Sequence, residues 1–527
     1  MKSNNYIVMM IAIIVALGGL LMGFDASVIS GVVKFIEPEF GLSKLELGWS
    51  VASLTLTATL AMMFAGPLSD KIGRRTVLRY AAILYAISAL ASAFAPTFLT
   101  LVIARMIGGF GVGASLILAP MYIAEMAPPA IRGRMVSFNQ LNIVIGISLA
   151  FFTNYLILKF AQSDVLWVHT LMLDEHEWRW MLGLEAVPAI LYYFGLFFVP
   201  NSPRWLILKG RFDDAKRVMT RFSSAEEAER EINSIKESIE NQVDKEEGKV
   251  KDLLRPGLRL VLLIGIVVAV LQQITGINSV FFYAPMIFEQ SGIGTDASFI
   301  QAILVGLTNL VFTVIALLTI DRLGRKPLLA FGVAGIALCM FLLAYGFGSA
   351  TYTLTAETVS VLPEIVDQSS LEPLIGKIYN SDLDFQDAMV SALGADIFSQ
   401  FKTDLVTAAI SMNPTLILFA ILGFVASFAI SIGPVMWVLF SELFPNKIVK
   451  SFELRKSNDN AKENALHLDC CFQPIGKNMA ILHKNGFLIE EEFKWLVNYF
   501  GNENVFEISK DEMYQMNSNV FSISEDV

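Results

Sequence analysis

Ten stretches of about twenty or more apolar residues recur along this chain, and they constrain its fold more than any other feature. They fall at 8–31, 46–69, 76–96, 98–124, 135–159, 178–199, 258–290, 297–320, 327–348 and 414–443. A helix needs about 20 apolar residues to cross a bilayer, so the pattern predicts an all-α, polytopic membrane protein. Composition agrees: only 17% of the 527 residues are charged, against about 25% in soluble domains. A net charge of −10 without a basic, aromatic-rich patch speaks against a nucleic-acid partner. Three cysteines, two of them adjacent (Cys470 and Cys471), build no disulfide framework. The first span is too long and too glycine-rich for a cleaved leader and is expected to be retained.

The spans form a block of six and a block of four around the polar stretch 200–256. This predicts an N-terminal bundle over 1–199, a charged helical linker over 200–256 and a C-terminal bundle over 257–450. Lys71, Arg74, Arg75 and Arg79 lie in the second connection, Arg132 and Arg134 in the fourth, Arg204 to Arg217 in the sixth and Arg322 to Lys326 in the eighth. Lys and Arg mark the cytoplasmic loops, so the even connections and the N-terminus are expected in the cytosol of a cell-membrane protein.

An internal repeat is legible. Ser69-Asp-Lys-Ile-Gly-Arg-Arg75 returns as Ile320-Asp-Arg-Leu-Gly-Arg-Lys326, and Ala124-Glu-Met-Ala-Pro128 returns as Ser441-Glu-Leu-Phe-Pro445. The two glycines are 251 residues apart and the two glutamates 317. The difference places an insertion between the second pair, matching the polar stretch 349–412, where nine acidic residues face Lys377 and Lys402 alone and which is expected outside the cell.

Three amides, Gln272, Gln273 and Asn278, crowd into the seventh span. Unpaired amides are costly in lipid, so they point either to a polar cavity or to hydrogen bonds between helices, worth roughly 0.6 kcal/mol each. Asp25 is a carboxylate within the first span, Arg105 the cation within the fourth and Glu185 a second acid within the sixth. A carboxylate facing a cation in low dielectric has a protonation state set by its surroundings; a purely structural ion pair is the alternative. Gly109 to Gly113, with small residues four apart, reads as a site of close helix approach, and not as a dinucleotide loop. No phosphate-loop lysine motif, metal-ligand spacing among the four histidines or nucleophile–base pair is present, so no enzyme, cofactor or metal is expected.

Six ordered motifs carry a resemblance: Asp70-Lys-Ile-Gly-Arg-Arg75, Pro120-Met-Tyr-Ile-Ala-Glu125, Arg132-Gly-Arg134, Pro203-Arg-Trp205, Gln272-Gln-Ile-Thr-Gly-Ile-Asn278 and Gly433-Pro-Val-Met-Trp437. Over residues 8–450 the chain resembles the sugar porters of the major facilitator superfamily, which include xylose–proton symporters and glucose facilitators. The resemblance implies a bundle of six helices followed by an incomplete one of four, with a monosaccharide such as xylose or glucose held between them. Gln140, Gln272, Gln273, Asn278, Asn309 and Trp437 are the sugar-site residues it implies, since amides both donate to and accept from hydroxyls; Tyr283 and Phe24 are candidate aromatic neighbours. It implies proton coupling through Asp25, tuned by Arg105, with Glu185 as an accessory. It also implies a cytoplasmic gate of Asp70, Arg74, Arg75, Glu125, Arg132, Asp321, Arg325 and Glu442. Asn201 stands where the family has an acid, and Ile147 where the xylose symporters have a glutamine, as in the facilitators.

The repeat calls for two more spans, yet 451–527 has no apolar stretch of the length required and reads as a polar cytoplasmic tail of unassigned role. The expected function is therefore sugar–proton symport in the bilayer. An uncoupled sugar or polyol facilitator, a non-transporting sugar sensor and a defective truncated carrier are the alternatives.

Overall fold

The computed structural model describes residues 5–128, 131–221, 223–243, 256–356, 359, 368–436, 472–475 and 479–508. The chain divides into two compact units, Met1–Leu443 and Phe444–Val527.

The larger unit is built of membrane-length helices. Five follow one another as α1 (Asn5–Glu39), α2 (Lys44–Ile72), α3 (Arg74–Ala93), α4 (Phe98–Met126) and α5 (Arg132–Ala161). Their starts are set locally. Ser43 and Glu46 form a reciprocal capping box at α2, and Thr97 with Thr100 does so at α4. After the short α6 (Leu166–Thr170) come α7 (Glu177–Gly183) and α8 (Ala186–Gly195). The stretch 178–199 is thus two short helices joined at Leu184 and Glu185, which both keep right-handed helical torsions. Pro188 explains the break, because it lacks the N–H that would bond to the Leu184 carbonyl and its ring displaces that group. Nine other helices among the described residues are long and apolar enough to cross a membrane.

Three polar-surface helices follow, α9 (Pro203–Leu208), α10 (Phe212–Met219) and α11 (Ala225–Val243). Leu206, Ile207, Ala215, Val218, Ala228 and Ile232 enter the same buried core as α1, α3 and α4, so this segment is packed against the bundle. The chain re-enters the membrane region as α12 (Pro256–Ile274) and α13 (Ile277–Glu289), then α14 (Thr295–Leu323) and α15 (Arg325–Gly348). The repeat seen in the sequence is also a backbone repeat: Gly73 (φ +95°) and Gly324 (φ +82°) both take the left-handed region between two helices, donating to Ser69 O and Ile320 O.

The insertion folds on its own core. Strands β1 (Thr351–Thr353), β2 (Ile378–Tyr379) and β3 (Ile410–Ser411) form an antiparallel sheet in the order β2-β1-β3, with α16 (Gln368–Leu371), α17 (Asp382–Leu393) and α18 (Ala395–Ala409) beside it. Tyr352 stacks on Phe385 at 5.5 Å over buried Met389 and Leu405. Helix α19 (Pro414–Ile430), capped by Asn413, then packs on α14 and α15.

Side chains are distributed as a lipid solvent demands. Met63, Phe64, Phe331 and Leu318 face outward, while Ser27, Ser50, Ser53, Thr57, Asn139 and Asn154 are buried. Close helix approach comes from glycines. A Cβ on Gly23 would stand 2.0 Å from the Ile143 carbonyl oxygen across the α1–α5 seam, and one on Gly113 would stand 2.1 Å from Ala58 O across the α2–α4 seam.

The smaller unit has β4 (Phe472–Ile475) antiparallel to β5 (Met479–Leu482), and α20 (Glu490–Phe500) leading to β6 (Val505–Glu507), parallel to β5. Leu482, Phe487, Phe493 and Leu496 are its core.

Candidate functional site

The midpoint of the α1–α5 bundle holds the charged residues noted in the sequence. Asp25 on α1 and Arg105 on α4 are both buried, with Arg105 Nη1 3.4 Å from Asp25 Oδ1. Arg105 Nε donates to the Ser50 carbonyl on α2 at 3.1 Å, which ties three helices to one guanidinium. Gly108 lies between Ser88 and Asp25; a Cβ there would stand 2.4 Å from Ser88 Oγ and 3.1 Å from Asp25 Oδ2. Glu185 is buried in the break between α7 and α8. Asp25 Oδ2 and Glu185 Oε1 have no hydrogen-bond partner among the described residues. Charges in such surroundings are expensive unless compensated, and here two acids meet one base.

The amides gather at the break between α12 and α13. Gly276 takes φ +86°, which ends one helix and starts the next. Around it Asn278 Nδ2 donates to Gln273 Oε1 at 2.7 Å, and Gln273 Nε2 to Gln272 Oε1 at 3.4 Å. Gln273 and Asn278 are exposed and Gln272 half-buried, so their remaining donors and acceptors stay open. Gln140 is half-buried on α5, and Asn309 is buried on α14. Phe24 is buried in an apolar cluster against which Tyr283 packs. Tyr283 itself is non-helical (φ −129°, ψ 16°), two residues before Pro285. Trp437 and Glu442 lie outside the described residues, as do the side chains of Arg132 and Asp321.

At the end rich in Lys and Arg, buried Arg74 reaches Asp70 at 2.7 Å and Glu125 at 3.3 Å. Glu125 also accepts from Ser202 Oγ, and Ser202 caps α9 by accepting from Trp205 N. Trp205 Nε1 donates to Asp70 O at 3.2 Å, and Tyr122 Oη to Pro200 O at 2.6 Å. Ser202, which the sequence did not single out, therefore joins α4 to α9 beside Asn201. Arg75 is not drawn in; it lines a separate cleft with α10. Arg325 opens α15 at the equivalent place in the repeat.

The opposite end carries ion pairs that sequence reasoning missed. Lys34 on α1 meets Glu289 on α13 at 2.6 Å and also donates to Thr295. Lys159 on α5 meets Asp296 on α14 at 2.6 Å, and Gln162 donates to the same carboxylate at 3.0 Å. The partners are more than 130 residues apart, so no local spacing signals them; the one hint is a charge placed at the very end of an apolar span.

A helical membrane bundle with an internal repeat, a buried carboxylate–arginine pair and a broken helix lined by amides defines a carrier of the major facilitator class. The family model described as "Sugar (and other) transporter" matches residues 11–362 and 388–453. The chain is 34% identical over 442 residues to the arabinose-proton symporter of Bacillus subtilis (strain 168), covering 84% of this chain and 80% of that one. It is 34% identical over 472 residues to the D-xylose-proton symporter of Escherichia coli (strain K12), covering 84% and 81%. Its fold matches a partially occluded, inward-open structure of the xylose transporter XylE from E. coli with a TM-score of 0.62 at 32% identity, over 83% of this chain and 85% of that one. The chain belongs to the sugar porter family of the major facilitator superfamily, a multi-pass membrane protein whose relatives are transporters and not enzymes.

Proposed function

We propose that the protein moves a monosaccharide, a pentose or a hexose, across the cell membrane together with a proton. The observation that carries this reading is the buried Asp25–Arg105 pair with Glu185 unpartnered in the same bundle. A proton on Asp25 releases Arg105, and a guanidinium with no anion in low dielectric favours rearrangement of the helices it ties together. Loading and unloading of Asp25 would thereby bias which end is open, with Glu185 as the accessory acid. The relatives named as arabinose-proton and D-xylose-proton symporters support this assignment.

The sugar would lie between the halves 1–199 and 257–450. There Gln272, Gln273 and Asn278 offer both donors and acceptors, with Gln140, Asn309 and Trp437 from other helices and Tyr283 and Phe24 as aromatic neighbours. The N-terminus and the Lys- and Arg-rich end would face the cytosol. The Asp70–Arg74–Glu125 network, with Arg132, Asp321, Arg325 and Glu442, would close that end in alternation with the opposite one.

Proteoliposomes holding a pH indicator test the reading with a panel of labelled monosaccharides. Sugar uptake accompanied by proton entry is the expected result. Uptake without proton movement would make the protein a facilitator, binding without uptake a sensor, and neither a defective carrier.

A further inference from the structure

A cleft of about 330 Å³ opens at the Lys- and Arg-rich end, away from the helices that carry the amides. Four guanidiniums line it: Arg75 from the first turn of α3, Arg211 and Arg217 around α10, and Arg221 from the turn that follows. One carboxylate, Asp214, stands among them and is shared, pairing with Arg211 at 2.5 Å and also with Arg217. Arg75 and Arg221 have no carboxylate partner among the described residues. The cleft thus keeps an excess of positive charge; Arg211, Arg217 and Arg221 are exposed side chains, while α9 and α10, which border it, are fixed through Leu206 and Val218 in the bundle core. Apart from Asn201, its remaining wall is apolar. Phe197 and Phe198 close the last turns of the sixth apolar stretch and are exposed, and aromatic rings at a span end sit at headgroup level.

Guanidinium groups present forked donors that match phosphate oxygens, and several together recognise phosphate in preference to a monovalent carboxylate. We propose that this cleft binds a phosphate-bearing anion at the membrane interface, with Arg75, Arg211, Arg217 and Arg221 as its donors. Such a phosphate reaches the cleft either on a lipid headgroup, whose chains would run along Phe197 and Phe198, or free from the aqueous phase. The inference requires only that the chain spans a membrane and is independent of what it carries.

The test uses the full chain, stripped of lipid in a neutral detergent, and calorimetric titration with soluble dihexanoyl phosphatidylglycerol and with inorganic phosphate. Saturable binding of at least one is expected. Binding of the phosphatidylglycerol without competition by inorganic phosphate identifies the lipid source, and full competition identifies the aqueous one. Arg217→Gln with Arg221→Gln should weaken that binding at least tenfold, while Lys494→Gln, a charge loss in the other unit, should leave it unchanged. Should the double variant fail to fold, Arg221→Gln alone, a turn residue on the surface, should weaken binding at least threefold. No binding of either compound, or arginine variants that bind like the parent chain, would overturn the proposal.

Discussion

Asp25 and Arg105 sit 80 residues apart in sequence and 3.4 Å apart in space, both sealed from solvent within the N-terminal bundle. The pair joins α1 to α4, and the bond from Arg105 to Ser50 O adds α2. One arginine therefore serves packing and charge together, and its two roles separate by substitution.

Asp25→Asn keeps the shape of the side chain and one hydrogen-bond acceptor while removing the charge. Sugar binding should survive and sugar-driven proton uptake should vanish in proteoliposomes; unchanged proton movement would remove Asp25 from the coupling. Arg105→Leu leaves Asp25 buried and unpaired, and loss of one partner of such a pair costs about 3–5 kcal/mol. Thermal melting in detergent should show this as a large drop, and Asp25→Asn, which strands the Arg105 guanidinium in turn, should show a comparable one.

The amide chain at Gly276 makes a graded prediction. Gln273 and Asn278 already satisfy each other in part, so Gln272→Ala and Gln273→Ala should each remove about one hydrogen bond to sugar. At roughly 0.5–1.5 kcal/mol per bond, binding weakens about two- to tenfold. Equilibrium dialysis with labelled sugar checks it, and unaltered affinity in both variants would place the sugar elsewhere.

Helix contact at Gly23 leaves no room for a side chain. Gly23→Val should exceed the roughly 1–3 kcal/mol typical of overpacking, because the obstacle is the Ile143 carbonyl and not a movable side chain. Gly48→Ala, where a Cβ would meet nothing within 4 Å, is the matched control. Size-exclusion profiles should show aggregation for the first and a single peak for the second.

The two ion pairs at the end opposite the arginines should differ in weight. Lys159 and Asp296 are both more than 40% exposed, so Lys159→Met should cost no more than about 1 kcal/mol. Glu289 is only 6% exposed, and Lys34→Met strands it; a loss of roughly 1–3 kcal/mol is expected, below that of a fully enclosed pair. Labelling of a cysteine introduced at this end should accelerate in Lys34→Met and stay level in Lys159→Met.

Much of the architecture was written in local pattern. Apolar runs of span length marked the membrane helices, while the caps at Ser43 and Thr97 that start two of them emerged with the structure. The Gly73 and Gly324 motifs announced a repeat that the backbone carries out with the same positive φ. Pro188 was equally visible, yet counting apolar residues hid its effect: hydropathy sums over a window and does not register one missing N–H.

The limits of local reading show in pairs. Arg74 and Arg75 are neighbours of the same chemistry, but helical geometry sends one to Asp70 and Glu125 and the other into a cleft with Arg217 and Arg221. Ser202 was not singled out in the sequence, yet it caps α9 and also meets Glu125 on α4. The insertion 349–412 read as a polar connection, while its buried residues, among them Tyr352, Phe385 and Met389, close a core of their own.

The sequence by itself determined that this chain lives in lipid, that it is built twice over from one helical plan, and that acids, a base and amides lie within its spans. Those facts follow from periodicity and from the cost of polar groups in hydrocarbon, both of which act along the chain. Only the tertiary structure decided that Lys34 meets Glu289 and Lys159 meets Asp296, because those partners lie on helices far apart in sequence that only folding brings together.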